Sequence, residues 1–119
     1  MRVILKKSEA KEPFSFSFVD DAGKSIVKSE NYSAKKSAVN GVESVKKNSQ
    51  ELARYDLKES KNGKFFFNIK ATNGQVVATS ALFPSEIDRE NAIALLKQNG
   101  ASAATIIKIV VQFSTLLRL

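Results

Sequence analysis

Large apolar residues occupy every second position in two segments of the chain that lie 51 residues apart. The first segment contains Phe14, Phe16 and Phe18, and the second contains Phe65, Phe67 and Ile69. A period of two places three such side chains on one face of a β-strand. We therefore predict two strands, each with an apolar face that another element must cover.

Turn signals surround both strands. Gly23 and Asn73-Gly74 follow them, and Asn62-Gly63 precedes the second one. Asn-Gly favours a tight hairpin because both residues tolerate a positive φ. The neighbouring strands are predicted at residues 3–7 and 24–28 in the first segment and at residues 54–59 and 75–80 in the second. Each segment is therefore a predicted three-stranded meander.

A helical pattern follows each meander. Apolar residues recur at spacings of three and four, as Ala34, Ala38, Val42 and Val45 and then as Ala92, Ile93, Leu95 and Leu96. Ser85 and Asp88 form a capping-box-like start of the second helix. We predict helices at 34–48 and 85–98, on one side of a shared sheet. The residues predicted to be largely buried are Phe14, Phe16, Phe65, Phe67, Val42, Val45, Ile93 and Leu96.

The two segments are copies of one unit. Without a gap, residues 2–50 pair with residues 53–101, and eight pairs are identical against about three expected by chance. The identical pairs are Lys7 with Lys58, Phe14 with Phe65, Phe16 with Phe67, Gly23 with Gly74, Ser29 with Ser80, Asn40 with Asn91, Lys46 with Lys97 and Asn48 with Asn99. The predicted fold is therefore α+β: one domain over residues 1–119, with two tandem β-β-β-α-β repeats that share one antiparallel sheet and pack both helices on one face.

Composition narrows the functional classes. The 119 residues are 43% hydrophobic and 26% charged, which is typical of a globular protein. The absence of cysteine favours the cytoplasm, and the longest apolar stretches are too short for a signal peptide or a membrane span. The net charge of +7 suits a polyanionic partner, although solubility also explains it. Arginine, the better residue for reading bases, occurs only four times.

Two motifs resemble a known family. The helix segment 40–48 and the strand segment 63–71, followed by residues 73–77, are similar to the YegP-like family of small bacterial and archaeal proteins. The resemblance covers residues 2–108 and implies a single sheet with exchanged C-terminal strands. It implies no biochemical function. Ala92 and Leu95 depart from the family's Gly and Ser, which the first repeat keeps as Gly41 and Ser44.

No residue pattern predicts catalysis, a cofactor site or a metal site. The chain has no histidine and no cysteine, which excludes Ser-His and Cys-His nucleophiles. Asp20 and Asp21 lie in a predicted turn, and the acidic residues near Glu86 lie in a predicted first helical turn, so each has a structural role. No Gly-rich loop leads into a helix to hold a phosphate.

Several residues remain as candidates for binding. Lys35, Lys36, Lys46 and Lys47 form two pairs eleven residues apart on one side of the first helix, either a solvated face or a polyanion contact. Phe66 is out of phase with the core phenylalanines and is the candidate for base stacking. Asn40 and Asn91 recur at corresponding helix positions, and their amides either bind a ligand or hydrogen-bond a neighbouring strand or loop, of which we favour the second interpretation.

The sequence therefore predicts an uncharacterised, non-enzymatic interaction or accessory protein whose partner is unknown. The alternative is a weak, sequence-nonspecific nucleic-acid binder that uses the basic side of the first helix. The segment 104–119 is β-branched and apolar, and we expect it to form the final strand. Its apolar residues after Ile109 exceed what an edge strand needs, so we also expect either self-association through this segment or its folding back over apolar surface.

Overall fold

The order of elements repeats along the chain, as the 51-residue pattern predicts. The computed structural model describes residues 1–109. The strands are β1 (Arg2–Lys7), β2 (Phe14–Val19), β3 (Ser25–Lys28), β4 (Tyr55–Glu59), β5 (Phe65–Lys70), β6 (Val76–Ser80) and β7 (Ala104–Ile109). The helices are α1 (Lys35–Asn48) and α2 (Glu86–Asn99). Short 3-10 turns, Leu52–Arg54 and Gly100–Ser102, lead from each helix into the next strand.

The described strands form one sheet in the order β4-β5-β6-β3-β2-β1-β7. The α+β class and the twofold β-β-β-α-β repeat are confirmed. The strand after each helix joins the other half of the sheet, β4 beside β5 and β7 beside β1, which confirms the exchanged strands. The sheet is mixed and not wholly antiparallel as predicted. The turn after α2 delivers Ala104 next to Arg2, where β1 begins, so β7 runs parallel to β1.

One apolar core joins both repeats beneath the two helices. Its largest fully buried side chains include Phe16, Phe18, Phe67, Leu5 and Leu96. Val42, Val45 and Ile93 are also buried, as predicted. Phe14 and Phe65 are only half-buried, contrary to prediction, because each begins its strand at the margin of the core. Their rings lie instead beneath cations, Lys7 Nζ at 5.9 Å and the Arg89 guanidinium at 5.4 Å.

A serine hydroxyl completes the backbone hydrogen bonding of each central strand. Ser29 Oγ accepts the Phe16 N–H at 2.9 Å, and Ser80 Oγ accepts the Phe67 N–H at 2.9 Å. Each hydroxyl also donates to the carbonyl of the next residue, at 2.7 Å and 2.8 Å. The serine therefore recurs at this position in both repeats because the neighbouring strand offers no backbone acceptor there.

The two halves are related by a pseudo-twofold axis between β3 and β6. Lys28 pairs with Thr79, its own counterpart 51 residues later, which places the axis at this pair. Ser49 and Gly100 are also counterparts. A Cβ on Gly100 would lie 3.0 Å from Ser49 Oγ. Two equivalent residues meet only near a symmetry axis, so one of them is a glycine to leave room for the other.

The first strands of the two repeats differ in register by one residue. Leu5 lies opposite Phe16, whereas Leu57 lies opposite Phe67, so the counterpart of Leu5 is 52 and not 51 residues later. Lys58 consequently corresponds to Lys6, and its identity with Lys7 in the ungapped alignment is accidental. The cause is the loop after the first strand, which is one residue longer in the first repeat.

The contact that the helix makes with the sheet at Gly41 differs between the repeats at two positions that change together. At Gly41 of α1, a Cβ would lie 2.8 Å from both Phe16 Cε2 and the Tyr32 hydroxyl. The second repeat has Ala92 at the position of Gly41 and Phe83 at the position of Tyr32. The second repeat therefore has an additional methyl group at Ala92 and lacks the hydroxyl group of Tyr32.

Part of the predicted C-terminal strand is confirmed, since β7 covers residues 104–109. The expectation about the apolar residues beyond Ile109 falls outside the described part of the chain.

Candidate functional site: the helix-free face of the sheet

One face of the sheet carries the helices, and the opposite face carries cations. In β1, Val3 and Leu5 are buried in the core, so Arg2 and Lys6 point to the other face. The same alternation across the paired strands gives the set that we call the basic face: Arg2, Lys6, Lys28, Lys58, Lys70 and Lys108. Asp56 of β4 is the carboxylate among the strand residues of this face. On this face the strands within residues 1–109 therefore present six cations against one anion.

Four of these cations surround one depression in the first half of the sheet. Arg2, Lys6, Lys28 and Lys108 line a hollow of about 340 Å³, with Ile4, Ser17, Val19, Gly23 and Ser25 also along it. Ser17 is only 8% exposed although it faces away from the helices, so the surrounding side chains shield it. Lysine stems cover apolar surface in this way while the ammonium groups stay in water. The hollow is therefore lined by positive charge.

The second half of the face is partly neutralised. Asp56 accepts salt bridges from Lys58 at 3.5 Å and Lys70 at 3.2 Å. The hydrogen bond from Lys70 and the positive charge of both lysines hold the pKa of the Asp56 carboxyl below its usual value. Phe66, the predicted stacking residue, lies half-buried on this face directly opposite Lys58. The structure thus places the candidate aromatic residue beside cations.

The predicted helical lysines do not converge on a site. Lys35 and Lys36 lie in the first turn of α1 and Lys46 and Lys47 in the last, about 16 Å apart along the axis. Lys46 is half-buried and the other three are exposed. Lys35 lines a cleft of about 230 Å³ with Lys6, Lys7 and the apolar side chains Leu5, Phe14, Ile107 and Ile109. Polyanion binding by the helix stays a prediction.

The asparagine interpretation is wrong. Asn40 and Asn91 are both exposed on the helices, so neither amide needs a buried partner. The recurring amides with a structural role are Asn48 and Asn99, which bond the carbonyl oxygens of Ser44 at 2.8 Å and Leu95 at 3.1 Å. Asn48 and Asn99 end their helices.

Among the acidic candidates for chemistry, the carboxylates of Asp20 and Asp21 have structural partners, and Asp88 contributes its backbone N–H to a helix cap. Asp20 Oδ1 accepts the N–H groups of Ala22 and Lys24, which fixes the β2–β3 turn. Asp21 receives the terminal ammonium group at 2.8 Å, and this contact lowers the pKa of the carboxyl. The Asp88 N–H donates to Ser85 Oγ, which caps α2. Within residues 1–109, no three metal-ligating side chains come close enough to hold an ion.

Sequence reasoning missed the lysines of the sheet and the role of Arg89. Lys6, Lys28, Lys58, Lys70 and Lys108 each directly follow or precede an apolar residue in a strand, so period-two alternation was the available signal. Arg89 is only 7% exposed, and its Nη1 donates to the Lys58 carbonyl at 3.0 Å. Its counterpart in the first repeat is Ala38, so the repeat gave no signal for it.

None of the helices in the described range has the length and apolar character required to cross a bilayer.

Comparison with known proteins gives consistent matches over most of the chain. The family model described as "Domain of unknown function (DUF1508)" matches residues 10–56 and again residues 60–106. The UPF0339 protein YegP of Escherichia coli K12 is 42% identical over 89 residues, 75% of this chain and 81% of that protein. A UPF0339 protein of Acinetobacter baylyi is 44% identical over 97 residues, 81% of this chain and 87% of that protein.

Two solved structures share the fold. The solution NMR structure of a UPF0339 protein from Shewanella oneidensis has a TM-score of 0.82 at 37% identity, covering 89% of each chain. The solution NMR structure of the E. coli protein of unknown function yegP has a TM-score of 0.81 at 34% identity, covering 94% of this chain and 97% of that one.

Proposed function

This chain belongs to the UPF0339 family, whose members are similar over both copies of the DUF1508 domain, and from that premise we propose that it is a non-catalytic binding protein that holds single-stranded nucleic acid on its basic face. The single observation that carries the proposal is the concentration of six cations and one carboxylate among the strand residues of the helix-free face. A polyanion releases counterions when it meets such a surface.

Single-stranded nucleic acid is favoured over duplex because the surface is an open sheet. A flat sheet can support splayed bases, while lysines contact the phosphates between them. Phe66 supplies an aromatic ring on this face, and Ser17 supplies a hydroxyl in the hollow. Lysine outnumbers arginine on this face, which supports binding to phosphates without reading the base sequence.

A non-enzymatic role is supported by the chemistry of the side chains. The chain has no histidine or cysteine, and the carboxylates of Asp20 and Asp56 are held in turn and salt-bridge contacts. A carboxyl that acts as a general acid at neutral pH has a raised pKa, whereas Asp21 and Asp56, the carboxyls with shifted pKa values within residues 1–109, have lowered ones. We also propose a cytoplasmic location, because the sequence contains no cysteine to benefit from an oxidising compartment.

Two matched variants test which surface binds. The first changes Arg2, Lys6, Lys28 and Lys108 to glutamine, and the second changes Lys35, Lys36, Lys46 and Lys47 to glutamine. Both variants lose four positive charges, so the nonspecific electrostatic attraction between protein and nucleic acid falls equally in the two. Affinity for a fluorescently labelled single-stranded DNA and RNA of mixed sequence is measured across a salt series, with duplex DNA in parallel.

We expect the sheet variant alone to lose most of its affinity. Each lost phosphate contact lowers the slope of log K against log salt by about 0.7, so loss of all four contacts lowers it by about 3. Phe66→Ala should weaken binding by about 1 to 3 kcal/mol without changing the slope, because stacking involves no counterion. Equal losses in both quadruple variants, or no binding by the native protein at low salt, would contradict the proposal.

A further inference from the structure

The two first strands of the repeats have different surroundings at their outer edges. β1 pairs with β2 on one side and with β7 on the other. Its counterpart β4 pairs with β5, and no strand within residues 1–109 pairs with its other edge. The difference shows in equivalent leucines, since Leu5 is 2% exposed and Leu57 is 53% exposed. Within residues 1–109, the outer edge of β4 therefore has no strand equivalent to β7, which covers the outer edge of β1.

Internal duplication explains the missing strand. In each half a strand follows the helix, and after α2 that strand is β7, which covers β1. The strand that follows α1 is β4 itself, which also serves as the first strand of the second repeat. Because β4 is both the last strand of the first repeat and the first strand of the second, no further strand is left to pair with its outer edge. The position equivalent to β7 therefore has no occupant from residues 1–109.

The backbone of β4 is arranged to accept another strand. The N–H groups of Phe65 and Phe67 bond toward the β6 side of the sheet, to Phe83 O and Ser80 Oγ. Antiparallel strands alternate the direction of these groups, so Phe66 and Asn68 bond β4 through Lys58 and Asp56. The N–H and C=O of Leu57 therefore point to the open edge, as those of Leu5 point to β7.

An apolar groove lies beside this edge, between β4 and α2. It has a volume of about 490 Å³ and is lined by Leu52, Tyr55, Leu57, Glu90, Ile93, Ala94 and Lys97. Leu52 is 62% exposed, and Glu90 and Lys97 on α2 also line the groove. An open strand edge next to an apolar groove is the surface that binds peptides by strand addition.

We propose that this edge binds an extended segment of another protein as an eighth strand, parallel to β4. The β1–β7 pair is the template: Ile107 lies opposite Leu5, and Lys108 lies opposite Lys6. A segment docked in the same register on β4 places one branched apolar side chain against Leu57 and its next residue against Lys58. An acidic residue at that second position complements the Lys58 charge. The partner is therefore an extended segment with alternate branched apolar residues and an acid between them.

A peptide derived from the template tests the proposal. The acetylated, amidated peptide Ala-Ala-Thr-Ile-Ile-Glu-Ile reproduces residues 103–109 with the change Lys108→Glu. It is titrated into the isotopically labelled full chain, and amide shifts are followed by NMR. We expect saturable shifts at Leu57 and Glu59 and along the groove, with a Kd of about 1 mM or below. The peptide with Lys108 retained should bind several-fold more weakly.

Leu57→Asp should abolish the β4 shifts, and Leu82→Asp, which changes a leucine outside the groove that is equally exposed, should leave them unchanged. Absence of β4 shifts at about 1 mM peptide would overturn the proposal. So would binding that survives Leu57→Asp. The β4 amide signals are also recorded without peptide, both for a chain that ends at Ile109 and for the full chain at decreasing concentration. If the truncation or the dilution changes these signals, residues 110–119 or a second copy occupies the edge, and the proposal is wrong.

Discussion

Where α1 passes over the Phe16 ring, no side chain fits between the helix and the sheet. A Cβ at Gly41 would lie 2.8 Å from the ring and 2.8 Å from the Tyr32 hydroxyl, distances below ordinary contact. In the second repeat Ala92 and Phe83 fill the same space, and the Phe67–Phe83 rings keep the stacking of Phe16–Tyr32. The Phe16 ring and the Tyr32 hydroxyl therefore both crowd a side chain at this helical position, and of the two only the hydroxyl has no counterpart in the second repeat.

We predict that Gly41→Ala lowers the free energy of unfolding by about 1 to 3 kcal/mol through overpacking, which exceeds the gain of up to about 1 kcal/mol in helix propensity. Tyr32→Phe in the same chain should restore most of the loss, because it recreates the Ala92–Phe83 arrangement. Urea unfolding of the four proteins of this double-mutant cycle measures the coupling. Additive effects would show that the hydroxyl is not the obstacle.

Asp56 sets the charge of one half of the basic face. Because the pKa of Asp56 is lowered by Lys70 and Lys58, its stabilising contribution is present above the ordinary carboxyl pKa and is lost as pH falls through the lowered value. We predict that Asp56→Asn tightens binding of single-stranded nucleic acid at neutral pH by a factor of about two to five, the effect of one exposed charge. Lys70→Ala should raise the pKa of Asp56 in an NMR titration. An unchanged pKa would contradict the salt-bridge geometry.

At the scale of the strand, the hydroxyls of Ser29 and Ser80 supply the hydrogen-bond acceptor for one N–H group of β2 and one of β5. We predict that Ser29→Ala and Ser80→Ala each cost about 1 to 3 kcal/mol, because the N–H of Phe16 or Phe67 then lies in the interior without an acceptor. Ser→Thr at either position keeps the hydroxyl and should cost less. Ser37→Ala, an exposed change in α1, is the control and should have little effect on urea unfolding. Equal effects of the interior and control changes would show that the hydroxyl bonds are unimportant.

Most elements were predictable because their signals are local. Alternating phenylalanines located β2 and β5, and apolar spacing located both helices to within one residue. The Asn-Gly hairpins formed, but only Gly63 and Gly74 have a positive φ, so the asparagines do not adopt the conformation that suggested the turn. The parallel β1–β7 pair was not predictable, because it depends on how distant segments meet, and the one-residue register difference of β1 was missed because the ungapped alignment did not allow for the longer loop after β1.

At the scale of the whole molecule, the core belongs to both repeats at once. Residues of both helices and both meanders form one apolar cluster, and β4 connects the halves. We predict that Phe16→Ala and Phe67→Ala each lower the unfolding free energy by about 3 to 5 kcal/mol and destabilise amides in both halves equally. Hydrogen exchange followed by NMR measures this residue by residue. Loss of protection confined to the mutated half would show that the repeats unfold separately.

The fold of the molecule followed from the sequence more completely than its candidate site. Repetition and apolar periodicity determine which faces must be buried, and those faces define the architecture. The basic face depends on which lysines share a side of a seven-stranded sheet, and that requires the strand order and register. Lys28 and Lys108 are 80 residues apart in the chain, yet they line the same hollow.

The meeting of Ser49 with Gly100 carries a consequence for ancestry. If a single repeat once assembled as a symmetric pair, the residue at this position faced an identical copy of itself, so the site held two identical side chains. A Cβ on Gly100 would lie 3.0 Å from Ser49 Oγ, closer than ordinary contact, so a side chain at both positions would be crowded. Joining the copies in one gene allowed the two positions to diverge, which no symmetric assembly of one short chain can do. On that history, the unlike pair of Ser49 and Gly100 became accessible only after fusion.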